Sequence, residues 1–387
     1  MKNTRILEKK LSNHFKKYQQ AIILLGAKQV GKTTLLKRLF SKATYLLVDE
    51  SAVLNVLESY SSDAYKSLIG NSKLIFIDKL RLLSDPGRAV KLIYDQLQDV
   101  KIIVTGSSSL HIKNRTAESM AGRAINYNLY PLSIGECLFQ RQIEDTENTF
   151  LTEKILSQDN SKTVKKYDLA NILVNIIVYG QYPCLINAPS DKKYLDNLVE
   201  KAIFKDIVEL DLIDNRAKAM NLLKLLAYQI GSLVSYADLS NRLGISAPTV
   251  QRYIEIFKHS YLIYRLYPYS QRKKDEISKS PKIYFWDLGI RNSLINNFDS
   301  LESRMDVGAM FENFVINKVK KEVDYLDLDY NVNYWRLKSK SEVDLILSNA
   351  SELVGVEIKY SGGTISRAFR NRYPHAKLHL TTHKNII

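Results

Sequence analysis

Cysteine is scarce in this chain: Cys137 and Cys184 are the only two among its 387 residues, and both lie among apolar neighbours. A pair of this kind favours neither a disulfide framework nor a zinc site. Long apolar runs are also missing, because no stretch reaches the roughly 18 consecutive apolar residues that a membrane span requires. The first residues are polar and lead into a charged stretch, unlike the apolar core of a signal peptide. We therefore expect a cytoplasmic protein with no membrane partner.

Acidic residues are under-represented in the first third of the chain. Residues 1–130 carry 21 Lys and Arg against 10 Asp and Glu, whereas residues 131–387 carry 35 against 31, and the formal net charge is +15. A basic surface of this size favours nucleic acid or another polyanion as a partner. A proteome rich in lysine would produce the same excess, so the charge leaves both explanations open. The chain length predicts two or three domains.

The most informative segment is a glycine-containing loop at residues 24–34, with the sequence LLGAKQVGKTT. It lies between an apolar run, residues 21–25, and an amphipathic helix that begins at Lys32. Such a loop closes backbone amides around phosphate oxygens, Lys32 would neutralise the β- and γ-phosphates, and the Thr33 hydroxyl would ligate Mg²⁺. We therefore predict a site for ATP or GTP. The residues predicted to bind the nucleotide here are Gly26, Gln29, Val30, Gly31, Lys32, Thr33 and Thr34.

Three further strand-like runs, at residues 45–48, 74–77 and 102–104, alternate with helical stretches. This alternation predicts an α/β fold with a parallel sheet that has helices on both faces. Polar groups gather at the carboxyl ends of such strands, where ligands bind. The polar residues that follow the three runs are Asp49, Asp78 and the segment 105–108.

The chain resembles the widespread prokaryotic AAA-type ATPases that carry a C-terminal nuclease-like domain. The segments that carry the resemblance are residues 26–34, 74–78, 104–108, 120–123 and 130–133. The resemblance covers almost the whole chain and implies ATP as the nucleotide. It also implies that Ser107 or Ser108 senses the γ-phosphate. Arg123 would complete a phosphate site in its own subunit or, in a homo-oligomer, in the neighbouring one, unless it is a surface residue at a helix end.

The second nucleotide-binding motif departs from the family pattern. Asp78 is expected to hold Mg²⁺ through water, but the glutamate that usually follows it is replaced by Lys79, and Arg81 stands where the family commonly has glutamine. A charged ammonium cannot act as the base that orients the attacking water, so binding with slow or no turnover is an alternative to hydrolysis. The carboxylates that could substitute are Asp49, Glu50 and Asp85.

A helix-turn-helix pattern follows in the middle of the chain. Residues 236–243 and 248–257 have the spacing of two helices joined by a tight turn, and Pro248 opens the second. The wing strands of a winged helix are predicted at residues 262–266 and 282–285, on either side of the basic loop 271–279. That loop could meet DNA phosphates, or the winged helix could merely pack modules together.

Charged residues interrupt two apolar strands near the C-terminus. Asp344 begins one apolar run, and Glu357 and Lys359 are two residues apart, so they project from one face of the next strand. The interval between Asp344 and Glu357 is long enough for a hairpin that brings them together. Two carboxylates can hold Mg²⁺, and a lysine can steady a hydroxide or a phosphate under attack.

This arrangement resembles the restriction-endonuclease-like superfamily, whose motif combines an acid, a Glu-x-Lys strand and a glutamate on an upstream helix. Glu312 matches the helix glutamate. The resemblance implies Mg²⁺ ligands at Glu312, Asp344 and Glu357, charge stabilisation by Lys359, and metal-assisted hydrolysis of DNA. A short Glu-x-Lys strand can also be an exposed salt-bridged edge, and many nuclease-like domains only bind.

The expected order is a P-loop AAA-type ATPase domain at residues 1–140, a linker and helical region at 141–225, a winged-helix domain at 226–290 and a restriction-endonuclease-like domain at 291–387. Our hypothesis is an ATP-binding protein, with weak hydrolysis at most, coupled to DNA binding and Mg²⁺-dependent nuclease-like activity. The alternative is a nucleotide switch that assembles with protein partners or DNA and hydrolyses little of either substrate.

Overall fold

The chain forms two compact units. The computed structural model describes residues 5–97, 99–106, 120–141, 150–159, 169–186, 188, 190–200, 213–270, 280–337, 341–364 and 366–386. The first unit comprises Met1–Pro131 and His259–Tyr261, and the second comprises Leu132–Lys258 and Leu262–Ile387. The finer division of the chain at residues 140, 225 and 290 stays a prediction.

The first unit is built on a five-stranded sheet. Its strands are β1 (Ala21–Leu25), β2 (Thr44–Leu47), β3 (Leu74–Asp78), β4 (Lys101–Gly106) and β5 (Ala124–Asn128). They are parallel and lie in the order β2-β3-β4-β1-β5. The flanking helices are α1 (Glu8–Lys17), α2 (Lys32–Leu39), α3 (Ser51–Glu58), α4 (Ser62–Ile69) and α5 (Pro86–Gln96). The predicted α/β fold class is confirmed.

Burial explains which strands were recognisable in the sequence. All five residues of β1 are buried, because a parallel strand covered on both faces reads as a continuous apolar run. β5 was not predicted, since it alternates apolar residues with Asn126 and Asn128 and is only partly buried. It pairs with β1 along its whole length, from Ala21 opposite Ala124 onward.

Local capping fixes the start of α5. The Asp85 carboxylate accepts a hydrogen bond from the Arg88 backbone N–H at 3.0 Å, and Pro86 occupies the first turn. An aspartate cap followed by proline is a strong helix-start signal, because the cap satisfies a free N–H and proline has none to satisfy. The helix therefore begins directly after the segment that follows β3.

Helices dominate the first half of the second unit. They are α6 (Ile134–Gln140), α7 (Leu151–Ser157), α8 (Leu169–Tyr179), α9 (Lys192–Asn197), α10 (Arg216–Tyr228), α11 (Tyr236–Leu243), α12 (Ala247–His259) and α13 (Leu288–Leu294). Two antiparallel strands, β6 (Ile263–Leu266) and β7 (Lys282–Phe285), lie between α12 and α13. None of the helices in the described ranges is both long and apolar enough to cross a membrane.

The helices and strands expected for a helix-turn-helix with a wing are present. Ser235 caps α11, which ends at Gly244 in the left-handed conformation (φ +61°), and α12 follows after a short turn. The basic loop 271–279 lies outside the described residues. The assignment of this region as a winged helix, and its contact with DNA, stay predictions.

The C-terminal part of the second unit is a mixed sheet with helices. Its elements are α14 (Val307–Tyr325), β8 (Asn331–Arg336), β9 (Glu342–Ser348), β10 (Leu353–Ile358), α15 (Arg367–Arg372) and β11 (Lys377–Thr381). The strand order is β11-β10-β9-β8, with β8, β9 and β10 antiparallel and β11 parallel to β10. Trp335, Val343 and Phe369 pack in its core. Gly355 is required there, because an added Cβ would lie 2.7 Å from the Phe369 ring.

Backbone hydrogen bonds attach the β6–β7 region to strand β8. The Tyr269 N–H donates to the Tyr334 carbonyl at 2.5 Å, and the Tyr334 N–H donates to the Tyr267 carbonyl at 3.1 Å. The Tyr334 hydroxyl donates to the Ser280 carbonyl at 2.8 Å. β7 is thereby held close to the C-terminal sheet, within a single unit.

Candidate functional site

The glycine-containing loop runs from the end of β1 to the start of α2. Gly31 caps α2 in a left-handed conformation (φ +94°), and Gln29 also has a positive φ of +64°. A Cβ added to Gly26 would lie 2.2 Å from the Leu129 carbonyl oxygen. The loop therefore needs glycine at position 31 for its backbone conformation and at position 26 for the close approach of the chain after β5.

Lys32 lies over this loop and is almost fully buried. Its ammonium donates to the carbonyl oxygens of Gly26 at 2.9 Å and Ala27 at 2.7 Å. Phosphate oxygens carry negative charge and therefore attract an ammonium more strongly than these neutral carbonyl oxygens do. A phosphate bound in the loop would thus compete well for the lysine.

Arg5, which the sequence did not single out, fixes the loop from the N-terminal side. Its buried guanidinium donates to the Val30 carbonyl at 3.0 Å and to the Tyr130 carbonyl at 2.5 Å. Its backbone N–H donates to Glu8, which also forms an ion pair with Arg38 of α2. No local motif marks this role, since the contacts join three distant parts of the chain.

The Asp78 carboxylate at the end of β3 accepts hydrogen bonds from four described groups. The Thr33 hydroxyl donates to Oδ2 at 2.9 Å, and the Tyr45 hydroxyl donates to the same oxygen at 2.8 Å. The Lys79 N–H donates to Oδ1 at 3.0 Å, and the Thr105 hydroxyl also bonds Oδ1. The structure thus brings the predicted Thr33 and Asp78 together and adds Tyr45. Burial, followed by the bond to Asp78, raises the pKa of Tyr45, which remains a donor at neutral pH.

Lys79 forms an ion pair immediately beside this carboxylate. Its ammonium lies 2.7 Å from Asp49 Oδ2, and both side chains are exposed. The hydrogen bond from Lys79 lowers the pKa of Asp49. Two of the carboxylates proposed as substitutes for the missing glutamate are therefore engaged elsewhere, Asp49 with Lys79 and Asp85 as the cap of α5.

Arg123 lies at the opposite edge of the sheet from its own phosphate loop. Its carbonyl accepts the Ala21 N–H at 2.8 Å, at the amino ends of the parallel strands β1 and β5. The loop follows the carboxyl end of β1, one strand length or roughly 15 Å away. Arg123 Nε pairs with Asp95 at 2.8 Å. This position favours a phosphate site of a neighbouring subunit over that of its own subunit, and both roles stay predictions. Ser107 and Ser108, the expected γ-phosphate sensors, lie outside the described residues.

A second cluster of charged residues lies in the C-terminal sheet. Carboxylate oxygens of Glu312 on α14 and of Glu342 and Asp344 on β9 all lie within 4.8 Å of one another. Asp344 Oδ2 accepts the Ile358 N–H at 2.8 Å and the Lys359 ammonium at 3.1 Å. The predicted Glu312, Asp344 and Lys359 are thus close together.

The converging trio of carboxylates differs from the predicted ligand set in one member. Glu342 provides the third oxygen, and Glu357 lies beside the trio with Oε1 2.7 Å from the Lys359 ammonium. Glu357 Oε2 is buried and has no hydrogen-bond partner among the described residues. Its part in binding a metal stays a prediction.

Two residues of β7 complete the cluster. The Lys282 ammonium lies 3.0 Å from Glu312 Oε1 and also contacts Glu342, and its side chain is 3% exposed. The Tyr284 hydroxyl donates to Glu312 Oε1. None of Lys282, Tyr284 and Glu342 was predicted from the sequence. Glu342 could have been found, because it lies two residues before Asp344 and so on the same face of the strand. Lys282 and Tyr284 belong to a distant segment, and no local pattern links them to the site.

Burial and mutual repulsion set the protonation of the cluster. Burial, only partly offset by Lys282, raises the pKa of Glu312, and burial together with the Asp344 charge raises that of Glu357. Burial acts to lower the pKa of Lys359, but Asp344 and Glu357 outweigh it, and the net shift is upward. Closely spaced carboxylates and an unpaired buried oxygen are the donor set that Mg²⁺ prefers, so these residues fit a divalent cation.

Comparison with known proteins identifies the first unit. Residues 18–138 match the family model of an AAA domain. This part of the chain is an AAA-type P-loop domain. Residues 170–301 and 307–387 match two domains of unknown function, DUF8612 and DUF4143. The AAA-type match includes the phosphate loop, Asp78 and Arg123, and the domain is therefore of a nucleotide-binding, ATPase type.

Relatives that match the chain beyond its AAA-type domain extend along most of its length. An uncharacterized protein of Methanocaldococcus jannaschii is 27% identical over 335 residues, which are 80% of this chain and 70% of that protein. An uncharacterized protein of Mycobacterium tuberculosis is 24% identical over 357 residues, 90% of this chain and 73% of its own length.

Two solved structures have a weak structural similarity to the chain. A STAND ATPase with a tetratricopeptide repeat sensor from Pyrococcus horikoshii has a TM-score of 0.31 at 12% identity, covering 82% of this chain and 46% of that one. AMPPCP-bound DnaA from Aquifex aeolicus has a TM-score of 0.28 at 16% identity, covering 65% and 85%. At these TM-scores neither structure adds to the family match.

Proposed function

We propose that this AAA-type protein is a nucleotide-controlled, Mg²⁺-dependent nuclease-like protein that acts on DNA. The observation that carries the proposal is the convergence of Glu312, Glu342 and Asp344 within 4.8 Å, with Lys359 3.1 Å from Asp344. The order of one helix, three antiparallel strands, a helix and a parallel strand supports the resemblance to restriction-endonuclease-like domains.

Each side chain of the cluster has a role in this proposal. Glu312, Glu342 and Asp344, with Glu357 beside them, would hold Mg²⁺, which supplies Lewis-acid charge next to a phosphodiester when it is bound. Lys359 stays protonated, because the carboxylates raise its pKa, and it can donate a hydrogen bond to a phosphate oxygen.

DNA is the proposed polyanion because of charge and of the middle region. The formal net charge is +15. The second helix of the helix-turn-helix pattern, α12, carries Gln251 and Arg252 on its exposed side. Both features support contact with phosphates, and neither specifies a base sequence.

The test is cleavage of supercoiled and linear DNA by the full-length protein with Mg²⁺, with and without ATP, followed on a gel. Asp344→Asn keeps the shape of the side chain and removes its charge, and we expect it to reduce cleavage roughly a hundredfold or more. Glu352→Gln is the matched control, because Glu352 is a carboxylate of the same sheet that pairs with the exposed Lys377. ATP should change cleavage by the wild type and not by Lys32→Ala.

The nuclease proposal fails if Asp344→Asn cuts as fast as the wild type or if DNA stays intact in every condition. Intact DNA with a nucleotide-dependent mobility shift would favour the second candidate, a nucleotide switch that assembles with DNA or protein partners without efficient hydrolysis. The ion pair between Lys79 and Asp49 is the observation that favours this switch.

A further inference from the structure

Lys282 is a buried cation that reaches the carboxylate cluster from a different part of the chain. It belongs to β7, whereas Glu312 belongs to α14 and Glu342 to β9. Its ammonium contacts both carboxylates, lies 5.4 Å from the centre of the Tyr334 ring and belongs to a side chain that is 3% exposed. Removing an ammonium from water costs much free energy unless it is paired with an opposite charge.

The two lysines of the cluster divide the carboxylates between them. Lys359 contacts Asp344 and Glu357, while Lys282 contacts Glu312 and Glu342. Arg336 also reaches Glu342, at 2.9 Å on its other oxygen, but the arginine side chain is 31% exposed at the rim. Lys282 is therefore the buried cation that compensates the Glu312–Glu342 pair.

We propose that Lys282 is the resident cation of this cluster and that a divalent metal ion binds Glu312 and Glu342 in competition with its ammonium. The inference rests on the proposed metal site. A divalent ion and the ammonium would use the same carboxylate oxygens, and positive charges a few ångströms apart repel each other strongly where water is excluded. Metal affinity is therefore set in part by a residue of β7 that lies outside the ligand set.

A direct role of Lys282 in holding a nucleic-acid phosphate does not fit its position. The Lys282 side chain is only 3% exposed, and its ammonium contacts carboxylate oxygens of Glu312 and Glu342. It therefore offers no accessible surface to a macromolecular substrate. Lys359, whose side chain is 40% exposed, offers such a surface. Lys282 thus acts through the metal ligands, by occupying their oxygens, and not by contact with the substrate.

The test is the affinity for Mn²⁺, measured by titration calorimetry and by the Mn²⁺ electron paramagnetic resonance signal on the full-length protein without DNA. Lys282→Met, which removes the competing charge, should bind Mn²⁺ roughly tenfold or more tightly than the wild type. Lys282→Arg, which keeps the charge, should stay near the wild-type affinity. Lys377→Met is the matched control, because Lys377 pairs with the exposed Glu352 of the same sheet.

Two further variants secure the interpretation. Lys282→Gln keeps a hydrogen-bond donor and removes the charge, so it gives the same ordering if the methionine variant does not fold. Adding Glu342→Gln to Lys282→Met should abolish the gain, which places the bound ion in the cluster. Mn²⁺ should also raise the unfolding temperature of Lys282→Met by more than that of the wild type.

An equal or weaker Mn²⁺ affinity in both neutral variants would overturn the inference. If the affinity rises and DNA is never cut, Lys282 is the competing cation and the nuclease proposal fails alone. If DNA is cut in an Asp344-dependent way and the affinity does not rise, the competition fails alone. The absence of Mn²⁺ binding in every variant would remove both.

Discussion

Lys79 stands where an AAA-type ATPase usually has the glutamate that orients the attacking water, and it binds Asp49 at 2.7 Å instead. The neighbouring Asp78 is surrounded by donors from Thr33, Tyr45 and its own next N–H. The site therefore has the groups expected to bind a nucleotide and its metal ion, and it has a cation where the family pattern has a base.

Lys79→Glu should raise ATP hydrolysis roughly tenfold or more, because a carboxylate can accept a proton from water and an ammonium cannot. Steady-state phosphate release by the purified variant measures it. Lys79→Ala is the control, since it removes the ion pair with Asp49 without adding a base. Equal rates for the glutamate and alanine variants would mean that the defect lies elsewhere in the site.

Sequence predicted those residues whose role is set by their immediate neighbours. Lys32 and Thr33 follow a glycine at a fixed spacing, and Asp78 follows an apolar strand, so their places needed no knowledge of the fold. Arg5 and Lys282 act across many residues of chain, and their partners are fixed only when strands and helices pack. Arg123 was recognisable as a conspicuous arginine, but its distance from its own loop depends on the direction of β1 and β5.

Strand β11 contains a deeply buried histidine, His379. His379 is 1% exposed, and neither ring nitrogen has a hydrogen-bond partner in the part of the chain that the structure describes. Burial lowers its pKa from 6.5, while Asp159 acts to raise it and Lys154 to lower it. The strand thus buries a neutral imidazole that resists protonation in the folded state.

The stability of the protein should fall as the pH drops below 6.5, the ordinary pKa of histidine. The unfolded chain then takes up a proton at His379 that the folded chain does not, until the lower folded pKa is reached, at a cost of at most about 1.4 kcal/mol per pH unit. Thermal unfolding between pH 5 and 8 measures this loss. His379→Leu should show a shallower decline than the wild type, and His375→Asn, at an exposed position, should not. Identical declines in all three would refute the assignment.

The elements themselves were predictable to different degrees. β1 and β3 are nearly unbroken apolar runs, because both faces of a parallel sheet are covered, and they were found in the sequence. β5 lies at the edge of the sheet and alternates polar and apolar residues, so it lacks a continuous apolar run. Its hydrogen bonds to β1 define it as a strand. Hydrogen bonding to a neighbour leaves no trace in local composition.

At the scale of the whole molecule, the position of Arg123 bears on assembly. The arginine lies at the amino ends of the strands with Asp95 as its partner, both one-third exposed. This position favours a phosphate site of another copy of the chain, a role that stays a prediction. The proposed homo-oligomer would then be more stable when the neighbouring loop holds ATP.

Arg123→Ala should weaken ATP-dependent self-association by roughly tenfold, because a charged hydrogen bond to a phosphate is lost at the interface. Nucleotide affinity measured at low protein concentration should be unchanged. Sedimentation velocity with and without ATP measures the association. Arg88→Ala is the control, because Arg88 is another arginine of the same unit, on α5, and its guanidinium lies over the Tyr60 ring. Self-association of the Arg123→Ala protein at wild-type strength would exclude the role in a neighbouring subunit.

The ion pair between Lys282 and Glu342 joins two stretches that match separate families, residues 170–301 and residues 307–387. If one stretch were replaced by a divergent relative, a different residue could lie at position 282 beside the Glu342 carboxylate. A neutral residue at position 282 would remove the buried cation beside Glu342, which would keep only Arg336 at the rim. Losing one partner of a buried ion pair is destabilising. We therefore expect substitutions at positions 282 and 342 to occur together among related chains.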